Sequence, residues 1–259
     1  MRIPIYQVDA FAAEVFGGNP AAVCPLVSWP EDQLLQAIAA ENNLAETAFL
    51  VSRGEQYELR WFTPKVEIDL CGHATLAAAY VVFHYLNIHL PEVRFSTRSG
   101  PLVVRREGAL LAMDFPARPA VPCSVPDGLV QGLGAAPLAL FKARDYLAVF
   151  ASEAQVRELS PDFRTLARLD CLGVIASAPG ESADFVSRFF APAIGIDEDP
   201  VTGSAHCTLI PYWADRLGKK ALQALQVSER GGTLFCEDLG ERVKIAGEAA
   251  IYLEGTITV

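Results

Sequence analysis

The chain has 259 residues, 51% of them hydrophobic and 20% charged, with 21 Lys and Arg against 31 Asp and Glu for a net charge of −10. A chain of this length and apolar content buries a sizeable core, which excludes a disordered protein and leaves one large domain or two lobes of about 130 residues. The acidic balance, with no basic cluster longer than Arg105–Arg106, argues against nucleic acid or an anionic membrane surface as partner, so an anionic ligand has to be held by local dipoles or a few placed donors.

The amino terminus, MRIPIYQVDAF, has no apolar run of the kind a signal peptide carries. Strand-like runs bounded by Gly, Pro, Asn or Asp follow at 3–11, 20–27, 46–52, 57–63, 93–97, 101–106 and 109–115. A helix is expected after Ser28, with Glu31 completing a capping box and Pro30 in the first turn. A second helix, 73–87, is apolar on nearly every face and so should be surrounded by protein. Its core, Ala77–Phe83 with the Ala/Thr lead-in, is about half the roughly 20 residues a membrane span needs. Pro116, Pro119, Pro122 and Pro126 then break all periodicity and mark a lobe boundary. Further strands are expected at 138–150, 172–178, 184–191, 224–229, 232–237, 241–247 and 249–258. A third helix, 204–218, should end at Gly218 and bend at Pro211. The expected organisation is an N-terminal lobe 1–115, a linker 116–126 and a C-terminal lobe 127–248, with the strand 249–259 returning to the first lobe. Cys24, Cys71, Cys123, Cys171, Cys207 and Cys236 form no tight framework, which fits free thiols in a cytoplasmic protein.

The two halves resemble one another. Arg60-Trp61-Phe62-Thr63-Pro64 reappears as Arg188-Phe189-Phe190-Ala191-Pro192, an offset of 128 (188 − 60). Gly72-His73-Ala74 reappears as Gly203-Ser204-Ala205, an offset of 131 (203 − 72), and each copy enters a helix. Matching order and context point to a duplication, with a small-molecule site expected in the cleft between two β-rich lobes. A Gly before a helix brings the backbone close to a ligand, and the free N–H groups of the first turn face it with the positive dipole end behind. Two such ends would hold a small carboxylate, which answers the problem posed by the net charge.

Glu46 lies where a polar helix end gives way to an apolar strand. It is therefore either exposed at a strand end or desolvated inside, where a carboxylate serves as general acid and base. His73 is a candidate at its helix start, with a cap or packing role as the alternative; Asp199 is a candidate in the turn before Pro200. Ser204 reads equally well as a helix-capping residue. No metal is expected, because Cys71-x-His73 and His206-Cys207 do not match the usual zinc separations. A two-thiol racemase is disfavoured, since Thr202 stands where the second thiol would precede Gly203. The offset of 128 projects Glu46 onto Val174, so a single base on one lobe fits better than a symmetric pair.

Asp9-Ala10-Phe11, Gly18-Asn19-Pro20, Asn43-Leu44-Ala45-Glu46-Thr47, Phe62-Thr63-Pro64, Cys71-Gly72-His73-Ala74 and Glu198-Asp199-Pro200-Val201-Thr202-Gly203-Ser204-Ala205 together resemble the PhzF-like family of phenazine-biosynthesis isomerases. The resemblance runs from residue 6 to the terminal strand. It implies an α+β, duplicated diaminopimelate-epimerase-like fold, each lobe a barrel-like sheet around a central helix. It also implies a homodimer, no cofactor, and an isomerase that moves a proton on a small anionic carboxylate substrate. By motif, Glu46, His73 and Asp199 look catalytic, and Gly18, Asn19, Gly72, Ala74, Gly203, Ser204 and Ala205 look substrate-binding. Two departures from the phenazine enzyme stand out: Asn-Leu-Ala before Glu46 in place of a commoner Ser-containing run, and Cys71 before Gly72. The alternatives are an amino-acid epimerase or racemase, and a metabolite-binding or interaction module without turnover.

Overall fold

A computed structural model describes residues 1–259 and divides them into two units, Met1–Asp114 with Ala246–Val259, and Phe115–Ile245. In chain order the first contains β1 (Arg2–Ala10), β2 (Asn19–Leu26), α1 (Asp32–Asn42), β3 (Glu46–Arg53), β4 (Gln56–Phe62), β5 (Glu67–Ile68), α2 (Gly72–Val81), β6 (Glu92–Thr97), β7 (Gly100–Glu107) and β8 (Leu110–Pro116). There follow β9 (Val121–Pro122), α3 (Leu129–Leu133), β10 (Ala139–Lys142), β11 (Tyr146–Val149), α4 (Glu153–Glu158), α5 (Phe163–Leu166), β12 (Val174–Pro179), β13 (Phe185–Ala191) and β14 (Ile196–Asp199). The chain ends with α6 (Gly203–Leu217), β15 (Ala221–Gln226), β16 (Gly232–Asp238), β17 (Arg242–Gly247) and β18 (Ala249–Thr258).

In the first unit β1 lies antiparallel to β2 and to β18, and β2 runs parallel to β3. Next, β3 and β4 are antiparallel, β5 adds to β4, β4 is parallel to β6, and β6–β7–β8 meander. The central helix α2 packs on β1, β2 and β3 with nearly all its side chains buried, as the unbroken apolar run predicts. It passes into a π-helical turn, Val82–Leu86, closed by the Asn87 N–H on the Val82 carbonyl. A satellite core forms where α1 (Leu35, Ile38, Ala39) covers Ile3, Cys24, Phe49 and Phe62.

The second unit repeats the plan. Antiparallel β10–β11 are followed by parallel β11–β12, antiparallel β12–β13, a short β14 on β13, parallel β13–β15, and antiparallel β15–β16. The repeated Arg does the same work twice. Arg60 forms a two-pronged bond to Glu67 (2.7 and 2.8 Å) and lies over the Phe62 ring. Arg188 does the same with Glu198 (2.7 and 2.7 Å) and the Phe190 ring. The pairing register also corrects the alignment of the two copies. Phe62 faces Thr47 on β3, and its counterpart Phe190 faces Val174 on β12, so the counterpart of Glu46 is Gly173 and not Val174.

Several local expectations change. The helix expected after Ser28 starts at Asp32, with Glu31 at the cap position and no side-chain cap bond, because Pro30 precedes the helix and does not sit in its first turn. The strand expected over 138–150 is two strands, broken at Ala143–Asp145, where the chain turns. The proline-rich stretch is tied into the second unit: Val121–Pro122 pairs with Phe141–Lys142, and the Arg118 N–H donates to the Cys207 carbonyl. No helix is long and apolar enough to cross a membrane.

Candidate active site

Glu46 is placed by the end of α1. Asn43 closes that helix in the left-handed conformation (φ 50°), which Asn tolerates, and its N–H caps the Ala39 carbonyl. Three residues later the chain enters β3 with Glu46 as first residue, 6% exposed, which settles the choice left open above in favour of the desolvated position. His73 arrives from the first turn of α2, after Cys71 in an extended conformation (φ −144°).

His73 Nε2 lies 2.9 Å from Glu46 Oε2, and both side chains are over nine-tenths buried. The ring N–H is not aimed along that vector, and Oε2 has no hydrogen-bond donor pointed at it, so the contact is an ion pair rather than a formed hydrogen bond. On the other side of the ring, the amide Nδ2 of the fully buried Asn19 is 3.2 Å from Nδ1. Cys71 Sγ stands 3.5 Å from Nδ1 and 4.0 Å from Nε2. Ligand atoms of Glu46, Cys71 and His73 all fall within 4.8 Å of one another. Burial opposes a charge on His73, but Cys71 and the Glu46 carboxylate beside it outweigh that and hold its pKa well above the ordinary value. Burial pushes the Cys71 thiol up, and Glu46 pushes it further.

The sequence candidates in this unit therefore fall together: Glu46, His73 and Asn19 touch, and Gly72 and Ala74 belong to the same helix start. Asn19, expected to bind substrate, is fully buried with its amide against the His73 ring. Gly18 is required by the backbone, since at φ +64° any Cβ would fall 2.2 Å from the Ala10 carbonyl oxygen. Asp9, from the first motif, accepts the Phe16 N–H at 2.9 Å and so closes the loop that leads to Asn19.

Asp199, Gly203, Ser204 and Ala205 lie at the start of α6, in the second unit. Thr202 Oγ1 donates to Asp199 Oδ2 at 2.6 Å. The buried Gln226 locks this turn: its Oε1 accepts the Thr202 N–H, and its Nε2 donates to the Asp199 carbonyl and to Thr202 Oγ1. Ser204 does not cap the helix. It is the second helical residue, and its hydroxyl accepts from Arg144 Nη2 at 2.9 Å, while Arg144 also pairs with the buried Asp145. Sequence reasoning missed Gln226 and Arg144. Neither sits in a motif, and only the alternation of β15, which turns Gln226 inward, hints at one of them. His206 is sealed in the core, Nδ1 donating to the Thr202 carbonyl at 2.8 Å, and burial depresses its pKa to about 4.

Known proteins match the chain from end to end. The family model described as phenazine biosynthesis-like protein (PhzC-PhzF) matches residues 8–255. An uncharacterized isomerase of Pseudomonas aeruginosa is 57% identical over 99% of both chains. A crystal structure of a phenazine biosynthesis PhzF family protein from Enterococcus faecalis superposes with a TM-score of 0.98 at 47% identity, covering 100% of both chains. At 10% identity a probable proline racemase from Agrobacterium radiobacter still superposes with a TM-score of 0.64 over 99% of this chain and 92% of its own, a likeness of fold. With that fold, the duplicated α+β plan of the diaminopimelate-epimerase-like proteins, and with these motifs in order, the chain belongs to the phenazine biosynthesis-like PhzF family of isomerase-type enzymes.

Proposed function

We propose that the protein is a cofactor-independent isomerase in which Glu46 takes a proton from carbon beside a carboxylate or conjugated system and returns it at another position. The observation that carries this reading is the desolvated Glu46 carboxylate, 2.9 Å from His73 Nε2 at the first turn of α2. His73, whose pKa Cys71 and Glu46 raise, stands beside the carboxylate that is to act as base. The positive dipole end at the start of α2 suits the negative charge of the substrate carboxylate and of the enolate formed as the proton leaves. Asp199 and the α6 start at Gly203–Ala205 are proposed as further substrate-handling residues on the strength of their motif.

Solvent-deuterium incorporation into a dihydro-hydroxyanthranilate or a related cyclic hydroxy or amino acid tests the reading. Glu46→Gln should lower exchange by about 10²–10⁴-fold, the usual worth of a general acid and base. Exchange at the parental rate in that variant removes Glu46 from the mechanism. A second reading, epimerisation of an amino acid, is favoured by one observation, the Cys71 thiol inside the same cluster. It requires Cys71 to carry a proton, so the same assay on Cys71→Ala separates the two: undiminished exchange excludes the thiol mechanism.

A further inference from the structure

We infer that Arg144 and Ser204, in the second unit, bind a carboxylate group, and that this group belongs to the substrate proposed above. Which carboxylate binds rests on the isomerase reading; that a carboxylate binds does not. The guanidinium is fixed on one side. Arg144 Nε and Nη2 donate to Oδ2 of Asp145 at 3.3 and 3.1 Å, and Asp145 is 1% exposed. Nη2 also donates to Ser204 Oγ at 2.9 Å, which uses the second of its two protons. Nη1 makes no hydrogen bond within the chain, and the Arg144 side chain is 37% exposed, so a charged donor is left facing outwards. The half-buried Ser204 accepts from Arg144 and keeps its own hydroxyl proton to donate. A charged N–H and a hydroxyl side by side are the donors that a carboxylate takes.

The surrounding charge has the sign that an anion needs. Burial raises the Asp145 pKa, and Arg144 and Arg118 act against it. Two guanidiniums facing one carboxylate leave one positive charge over (2 − 1). Burial likewise pushes the Cys207 thiol up to about 11, against the pull of Arg118, Arg144 and Arg242, so three cations gather about one stretch of α6. Asp199, on the turn before that helix, has its Oδ2 taken up by Thr202 Oγ1. In a chain of net charge −10 this is a local reversal of the overall field. The strand register adds an independent reason. Ala22 pairs with Thr47 and Tyr146 with Val174, so Arg144 is the counterpart of Pro20, and Ala143 that of Asn19. Where the first unit brings Asn19, Glu46 and His73 together, the second has Ala143, Gly173 and Ser204, with Arg144 as the charged group. One backbone plan thus carries a carboxylate base in its first copy and a guanidinium in its second.

The test uses the full-length protein and two probes of one shape, para-fluorobenzoate and the neutral para-fluorobenzamide, titrated by fluorine NMR. The parent should bind the benzoate at least about tenfold more tightly than the amide, the worth of one hydrogen bond to a charged group. Arg144→Met should remove that preference by weakening the benzoate at least about tenfold while leaving the amide unchanged, a selective loss that a purely structural role would not produce. Arg168→Met, at an exposed arginine outside the cluster, should behave as the parent does. Where Arg144→Met fails to fold for want of a partner to Asp145, Arg144→Lys/Ser204→Ala keeps a cation there, removes both free donors and should lose the same preference. A parent that binds neither probe, or both alike, overturns the site, as does benzoate affinity that survives in these variants. In the exchange assay Arg144→Met should raise KM at least about tenfold with kcat little changed, the mark of binding lost equally from ground and transition states. A variant that loses benzoate but keeps the parental KM overturns the assignment to the substrate. A parent that binds benzoate through Arg144 and exchanges no proton refutes the isomerase reading and leaves the carboxylate site standing.

Discussion

At the scale of single residues, the site depends on charges kept out of water. Burial opposes a charge on His73, yet Cys71 and Glu46, which face it, raise its pKa well above the ordinary value. Its pKa is raised, so whatever the charged form contributes is fully present at low pH and is lost as pH rises through the elevated value. The pH profile of kcat/KM should therefore show an alkaline limb above the ordinary histidine range, and His73→Gln should remove that limb as well as lower the rate. An unchanged limb in the variant assigns it to another group. Glu46 and His73 were legible as candidates from their motifs, but their contact was not. Nothing in a sequence says that the first residue of one strand and the first turn of a helix 27 positions later (73 − 46) meet at 2.9 Å.

Among elements, the strands were readable almost throughout because β-branched and aromatic runs here are long and cleanly bounded; 249–258 coincides with β18. Short helices were not. α3, α4 and α5 span only four to six residues, too few for a 3.6-residue period to show, and tertiary packing holds them. The two-residue strands β5 and β9 are too short for an alternating pattern to show. Arg188 shows how such pieces are secured: besides Glu198, its Nη1 donates to the Leu159 and Val156 carbonyls at the end of α4. Arg188→Met should cost about 3 kcal/mol, and Glu198→Gln, which leaves the carbonyl bonds intact, about 1–2 kcal/mol, both read from urea unfolding. Equal losses for the two would mean that the carbonyl bonds add nothing.

For the molecule as a whole, composition left a choice between one large domain and two lobes, and the repeated strand order decides for two units of one plan. The repeat was visible because Arg-aromatic-Phe is a structural string, kept in both copies by the same Arg–Glu fork. Global stability carries its own pH signature. His206 is buried neutral, its second ring nitrogen without a partner, and its pKa falls from 6.5 to about 4. The unfolded chain binds that proton more readily, so stability is full above pH 6.5 and falls by roughly 3 kcal/mol as pH drops to 4. His206→Asn, which keeps a donor for the Thr202 carbonyl, should flatten this part of the denaturation-midpoint curve; a curve as steep as the parent's would place the acid sensitivity elsewhere.

The register that makes Gly173 the counterpart of Glu46 shows where the two copies differ. A Cβ at Gly173 would stand 2.4 Å from the Phe189 ring, so the room a side chain needs is already occupied. A single substitution of Gly173 by Glu therefore meets the Phe189 ring, and a carboxylate fits in the second copy only if that ring is also made smaller. The two halves are thus unequal at this one position: the first begins its strand with a carboxylate, and the second fills the corresponding place with an aromatic ring.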